Sequence, residues 1–106
     1  MLYIDDLRQL CNDTHIVMTN HAMKRLYERN ITIEGIKDAI ITGEIFEQYE
    51  DDKSFPSCLL LGKNENGAAI HLVVSINDEF LYVITAYYPD DDEWENDLKT
   101  RKERKK

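Results

Sequence analysis

The spacing of the apolar residues changes once along the chain, near Gly43, and this change restricts the folds available to the sequence. Before Gly43, apolar residues recur every three or four positions, which is typical of helices that bury one face. The pattern predicts helices over about 2–11 and 20–30, and a third that starts after Thr32 and ends with Gly43 in a left-handed conformation. The later segments are strand-like and lie at 44–50, 58–63, 69–76 and 80–88.

Turn signals separate the last strands of this pattern. Asn66-Gly67 precedes the third strand and Asn77-Asp78 precedes the fourth, so consecutive strands should run antiparallel as hairpins. Helices followed by hairpin-linked strands predict an α+β domain, in which two to three N-terminal helices pack on one face of a three- to four-stranded antiparallel sheet. The segment after Pro89 is predicted to start a further helix.

Charge divides the 106 residues into a body and a tail. Residues 1–98 contain 7 basic and 20 acidic side chains, whereas 99–106 contain 6 basic and 1 acidic side chain. The length and this division predict a single domain over 1–98 and a basic C-terminal tail over 99–106. Because nucleic-acid-binding domains are usually basic, we expect no DNA binding by the chain itself.

Several missing patterns limit the class of protein. No signal-peptide pattern is present, and no apolar run approaches the roughly 20 residues that span a bilayer. Cys11 and Cys58 form no CxxC pair, and the three histidines show no metal-ligand spacing. These observations predict a cytoplasmic protein that contacts no membrane and uses neither a metal nor another cofactor.

Three side chains of the second predicted helix form a stripe. His21, Arg25 and Arg29 are spaced four residues apart, which places them on one side of a helix. His21 lies in the first turn, where the helix dipole and Arg25 favour a neutral ring that can accept a proton. The guanidinium groups of Arg25 and Arg29 suit a phosphate, which a helix N-terminus also attracts. The stripe therefore indicates a phosphodiester site.

Strand residues supply further candidates for this chemistry. His71 is expected on the sheet face away from the helices, and we predict the same face for Thr85 and Tyr87, which share one parity of the last strand. The phosphodiester reaction that needs no metal is attack of an RNA 2′-hydroxyl on its own phosphate. His21 or His71 would act in it as base or acid, and Tyr87 as a proton donor.

The same residues allow less specific interpretations. The stripe can be a solvated helix face that pairs with acidic side chains, and His71 can lack any chemical role. The chain would then be a non-catalytic protein-interaction module of the same fold. A further hypothesis is a binder of a nucleotide or small anion at the helix N-terminus near His21.

Five short motifs in a fixed order resemble a widespread prokaryotic domain-of-unknown-function family. They are H-A-x2-R-x3-R-x-I over 21–31, G-E-I-x-E-x-Y over 43–49, P-S-x-L-x-L-G over 56–62, I-H-x-V-V over 70–74 and I-T-A-Y-x-P over 84–89. Members of this family are grouped by similarity with RelE-like and MqsR-like toxins, which are small metal-independent ribonucleases. Many are encoded beside a zinc-finger antitoxin of the MqsA type.

This resemblance implies a RelE-like fold and an RNA-cleaving toxin that an antitoxin protein, such as one of the zinc-finger type, keeps inactive. It implies that the stripe of His21, Arg25 and Arg29 takes part in RNA cleavage. It also implies supporting roles for Thr85 and Tyr87 on the last strand. Arg101 lies where related folds carry a late basic residue.

Overall fold

The computed structural model describes residues 1–50 and 55–103, which form three helices and a five-stranded sheet. The helices are α1 (Ile4–Gln9), α2 (Asn20–Glu28) and α3 (Ile33–Thr42). The strands are β1 (Ile16–Val17), β2 (Glu44–Tyr49), β3 (Ser57–Lys63), β4 (Ala69–Asn77) and β5 (Phe80–Tyr87). No helix within these described ranges is long and apolar enough to cross a membrane.

The predicted α+β class is confirmed, but the sheet differs from the predicted one. It has five strands in the order β1-β5-β4-β3-β2, and it is mixed. Strands β2 to β5 are antiparallel neighbours, whereas β1 pairs in parallel with the start of β5. The prediction missed β1 because Ile16 and Val17 alone are too few to show the alternation of a strand.

The main core lies between the helices and one face of the sheet. Thr32 begins the third helix as predicted, and Thr19 begins the second: their hydroxyl oxygens accept from the backbone N–H of Gly35 (2.9 Å) and Ala22 (3.0 Å). Ile33 is 38% exposed in the first turn of α3. The fully buried apolar residues are Leu7, Ile36, Ala39, Ile40, Cys58, Leu60, Ile70, Leu72, Val74, Leu81 and Ala86.

Two glycines allow α3 to approach β3 closely. A Cβ atom on Gly62 would lie 2.1 Å from the Ala39 carbonyl oxygen of α3, and one on Gly43 would lie 2.8 Å from the Leu61 carbonyl oxygen of β3. The predicted left-handed conformation of Gly43 is wrong, because its backbone is extended (φ −90°, ψ 176°). Gly43 is therefore required by the close approach of the backbone, and not by the end of the helix.

A β-bulge changes which β5 side chains share a face. Val73 pairs with Thr85 but Val74 pairs with Val83, so Ile84 is the extra residue. Thr85 and Tyr87 lie on the His71 face, as predicted. Tyr82 joins the same face, although strict alternation placed it on the other one. The bulge returns Val83 to the helix side, where it is buried.

No helix forms after Pro89 within the described residues. Residues 90–103, which we call the strap, instead lie across the sheet face that the helices leave uncovered. Trp94 packs on this face and is 4% exposed, and it forms a single antiparallel bridge with Arg101. The expected basic tail over 99–106 thus begins within the strap, since Lys99 pairs with Glu44. Residues 104–106 lie outside the described residues.

Candidate functional site

The α2 helix presents its stripe to solvent. Ala22 and Leu26 are buried and fix the helix orientation, which leaves His21 and Arg25 exposed. The Arg25 guanidinium lies 4.0 Å from Glu28, and both side chains are about half exposed. Exposed pairs with this geometry contribute little, roughly 0–1 kcal/mol, so Arg25 is free to meet an anionic ligand.

Arg29 joins the stripe to the last strand. Its Nη1 donates to the Ala86 carbonyl oxygen at 2.7 Å and to the Thr85 hydroxyl at 3.3 Å. Because β1 pairs only with the start of β5, the later part of β5 has a free edge, and Arg29 covers it. One residue further on, the Tyr88 hydroxyl donates to the Asn30 carbonyl at 3.1 Å. These contacts bring Thr85 to one end of the stripe.

The stripe is a cationic patch on an acidic chain. Residues 20–29 contain Lys24, Arg25 and Arg29 against the single acid Glu28, a local net charge of +2 in a chain of −8. Charges further away than about 10 Å are largely screened at ordinary ionic strength. An anion close to α2 would therefore meet mainly the positive side chains of the patch.

His71 and Tyr87 form a second group of candidate residues. They are directly paired across β4 and β5, and His71 is fully buried. The His71 Nε2 atom lies 2.7 Å from the Leu98 carbonyl oxygen, which can only accept, so Nε2 carries the proton. Nδ1 of the neutral ring then accepts from the Tyr87 hydroxyl at 3.2 Å. This arrangement fixes one tautomer of His71.

Burial keeps both members of this pair uncharged. It lowers the pKa of His71, and the positive charge of Arg101 acts in the same direction. Burial also raises the pKa of Tyr87, and the neighbouring Tyr49 adds to that effect. At neutral pH the pair is therefore a neutral imidazole with a protonated phenol.

An aromatic shell and one ion pair surround His71. The ring centroids of Trp94, Phe46 and Tyr87 lie 4.5, 5.2 and 5.2 Å from that of His71. The Arg101 guanidinium lies 4.7 Å from the Trp94 centroid and pairs with Glu47 on β2.

Glu47 is held in turn by the Tyr49 hydroxyl, which donates to it at 2.6 Å. Burial would raise the pKa of Glu47, but its hydrogen bonds from Arg101 and Tyr49 outweigh burial and lower it. Glu47 and Tyr49 stand in the motif over 43–49, but of these three residues only Arg101 was predicted as part of a site. The alternation of β2, with Glu47 and Tyr49 two residues apart, is the signal that could have indicated them.

The structure thus brings the predicted residues together in two groups. Arg29 meets Thr85, and His71 meets Tyr87, with Arg101 beyond the Trp94 ring. Thr85 and Tyr87 are two residues apart on the same face, which corresponds to about 6–7 Å along a strand. They are the link between the groups. His21 makes no hydrogen bond or ion pair to either group within the described residues. Over the same residues, no group of three histidine, cysteine, aspartate or glutamate side chains could hold a metal ion.

Comparison with known proteins identifies the family of this domain. The family described as domain of unknown function (DUF4258) matches residues 18–88, about two thirds of the chain. The match includes α2 and β5, which hold the stripe and its strand partners, but it ends before the strap. No curated protein and no solved structure matches the chain. The chain belongs to the DUF4258 family.

Proposed function

We propose that this domain is a metal-independent endoribonuclease that acts as the toxin of a toxin–antitoxin pair. The observation that carries the proposal is the contact of Arg29 with Thr85 and Ala86. That contact joins the Arg29 end of the stripe to the strand that carries Tyr87.

The patch on α2 would bind the RNA backbone. Arg25 offers an exposed, planar guanidinium that can contact a phosphate through two N–H groups. Arg29 has an N–H group engaged by β5, and its remaining donors can face the same phosphate. The acidic remainder of the chain would limit RNA binding to a few phosphates near the patch. This is enough for a site that cleaves one phosphodiester bond at a time.

The reaction needs one proton acceptor and one proton donor. His21 takes the proton of the RNA 2′-hydroxyl, and the resulting oxygen forms a bond to the adjacent phosphorus. The bond from phosphorus to the 5′-oxygen of the next nucleotide breaks, and that oxygen receives the proton of Tyr87. The products are a 2′,3′-cyclic phosphate and a 5′-hydroxyl. Arg25 and Arg29 stabilise the charge that develops on the phosphate oxygens.

His71 would act in this scheme through Tyr87. Its Nδ1 accepts from the Tyr87 hydroxyl and so orients that hydroxyl. Because His71 is fully buried, it is a positioning residue here and not a group that touches RNA. Arg101 would act only through the strap, which it holds against the sheet beside Trp94 and Glu47.

An antitoxin would control this activity. The partner class comes from the resemblance to toxin families, in which a zinc-finger protein of the MqsA type is the usual neighbour. A groove of about 360 Å³ beside β1 offers an exposed apolar surface, lined by Asp13, Ile16, Val17, Met18, Met23 and Ile33. This groove lies away from the stripe, so a partner could occupy it without displacing Arg25.

Cleavage of a mixed-sequence RNA in the presence of EDTA tests the proposal. We expect the wild-type chain to cleave, His21→Ala to lose about 10²–10⁴-fold in rate, and Arg25→Ala to lose about 10²–10³-fold. Lys24→Ala is the matched comparison: Lys24 adds to the charge of α2 but lies outside the stripe, so its loss should slow cleavage much less than the loss of Arg25. Equal rates for all four proteins would contradict the proposed site.

A second candidate function is a non-catalytic interaction module. Two observations favour it: His71 is sealed from solvent, and Arg29 is engaged by the β5 backbone. In that case folded protein, offered both free RNA and ribosomes, leaves the RNA intact. The apolar groove beside β1 then becomes the surface to test for a protein partner.

A further inference from the structure

The strap covers the Tyr87–His71 pair, although it lies outside the residues that match the family. Trp94 packs edge-on against the His71 ring, and the Leu98 carbonyl oxygen accepts a hydrogen bond from His71 Nε2. We propose that the strap is a releasable cover, and that the docked strap excludes RNA from the Tyr87–His71 pair. The identity of the excluded molecule rests on the proposed function, whereas the release of the strap does not.

The two ion pairs that hold the strap are open to solvent. Arg101 is about half exposed where it pairs with Glu47, and Lys99 is 36% exposed where it pairs with Glu44. Ion pairs of this kind are weak and are screened by salt. Within the described residues, the strap has one bridge to itself and forms no helix or strand. Its docking therefore depends mainly on Trp94 and Arg101.

One residue of the strap adopts an unfavourable backbone conformation. Leu98 has φ 60°, in the left-handed region that residues with a Cβ atom rarely adopt. The carbonyl of this residue is the one that accepts from His71. Release of the strap would remove this local cost, which lowers the free energy needed to open it.

The strap brings charge of both signs to the pair that it covers. Its first four residues are all acidic, whereas Arg101 is basic. Arg101 and Glu93 act electrostatically on the Tyr87 hydroxyl in opposite directions, and the effect of Arg101 is the larger. The docked strap therefore opposes RNA by covering the pair.

Trp94 is the only tryptophan of the chain, so its fluorescence reports directly on the strap. We expect Arg101→Gln to increase the open population about tenfold, because it removes an ion pair and a cation–π contact. Trp94 emission should shift to longer wavelength, and quenching by acrylamide should increase, while the far-ultraviolet circular dichroism stays unchanged. Glu47→Gln removes the same ion pair from the β2 side and should act in the same direction.

Lys102→Gln is the matched control, since it removes one positive charge from the same strap. Within the described residues, Lys102 forms no ion pair, so its fluorescence should equal that of the wild type. The proposal that the strap can be released is overturned if Trp94 is as protected in Arg101→Gln and Glu47→Gln as in the wild type. It is also overturned if Trp94 becomes exposed only when the whole domain unfolds.

RNA cleavage by the same variants tests the inhibitory role. We expect Arg101→Gln to cleave faster than the wild type, with Lys102→Gln unchanged. Suppose that the strap opens, that cleavage is no faster, and that activity still depends on His21. This result would overturn the inhibitory role of the strap but not the proposed function. Absence of cleavage in every variant would overturn the inhibition and the proposed function together, while the fluorescence result still decides whether the strap opens.

Discussion

The imidazole of His71 has both nitrogens occupied, Nε2 by the Leu98 carbonyl and Nδ1 by the Tyr87 hydroxyl. Only the Tyr87 contact requires the neutral ring, since a protonated ring would still donate from Nε2 to Leu98 but would have to donate from Nδ1 as well. The Tyr87 hydroxyl would then have to turn and accept instead. The charged groups that act on the ring are Glu47 from β2 and Arg101 from the strap, while Tyr49 and Glu93 act on its partner Tyr87.

Protonation of His71 should weaken the strap as pH falls. Burial lowers the folded-state pKa of His71 below its ordinary value of 6.5, so the state with the ring released binds more protons. The neutral His71 ring therefore stabilises the docked strap above pH 6.5, and this stabilisation is lost as the pH falls below 6.5. We expect Trp94 quenching by acrylamide to rise between about pH 7 and 5.

A His71→Gln variant should show no such rise over the same range, because glutamine at the position that the strap covers does not titrate. The range stays above the region where Glu47 titrates, since the pKa of that carboxyl is lowered from 4.5. A rise of the same size in His71→Gln would contradict the assignment to His71.

Residue-level prediction succeeded where a side chain's position follows from strand alternation. His71, Thr85 and Tyr87 share a face because side chains of a strand alternate. The burial of His71 was not predictable, because it depends on Trp94, 23 residues further along the chain in a segment without periodic structure.

At the scale of elements, the tightest packing lies between α3 and β3. A Cβ atom at Gly62 would overlap the Ala39 carbonyl group. A backbone group cannot move away to relieve this overlap, as a flexible side chain could. The close packing of α3 on β3 thus depends on Gly62, which the pattern of apolar residues does not identify.

Gly62→Ala should destabilise the fold by about 1–3 kcal/mol, because the new methyl group overlaps the Ala39 backbone. Thermal or urea unfolding measures this change. Gly67→Asn is the control: no atom lies within 4 Å of a Cβ at Gly67, and asparagine tolerates its positive φ of 77°. Equal losses of stability in the two variants would contradict the packing argument.

Element prediction failed where tertiary contacts, and not local pattern, decide the structure. β1 exists because the edge of β5 offers partners to Ile16 and Val17. The segment after Pro89 does not form a helix, because Trp94 is buried on the sheet, while Asp90 and Asp97 accept from nearby backbone N–H groups in turns. Neither cause leaves a periodic signal in the sequence.

At the scale of the whole molecule, the functional proposal rests on how charge is distributed over the surface. The net charge of −8 would repel RNA, but the cationic patch on α2 and the acidic strap are separate parts of the surface. The chain can therefore admit a phosphate at the patch while the docked strap covers Tyr87. Membership of the DUF4258 family extends over α2 to β5, so it includes the patch.

The measurement that tests the central claim most directly compares two single-stranded substrates of one sequence in EDTA. One is RNA, and the other is the same strand with every 2′-hydroxyl replaced by hydrogen. The account predicts that Arg101→Gln, with its strap released, cleaves the RNA to 2′,3′-cyclic phosphate ends and leaves the deoxy strand intact. Equal cleavage of both strands, or of neither, would contradict attack by the 2′-hydroxyl.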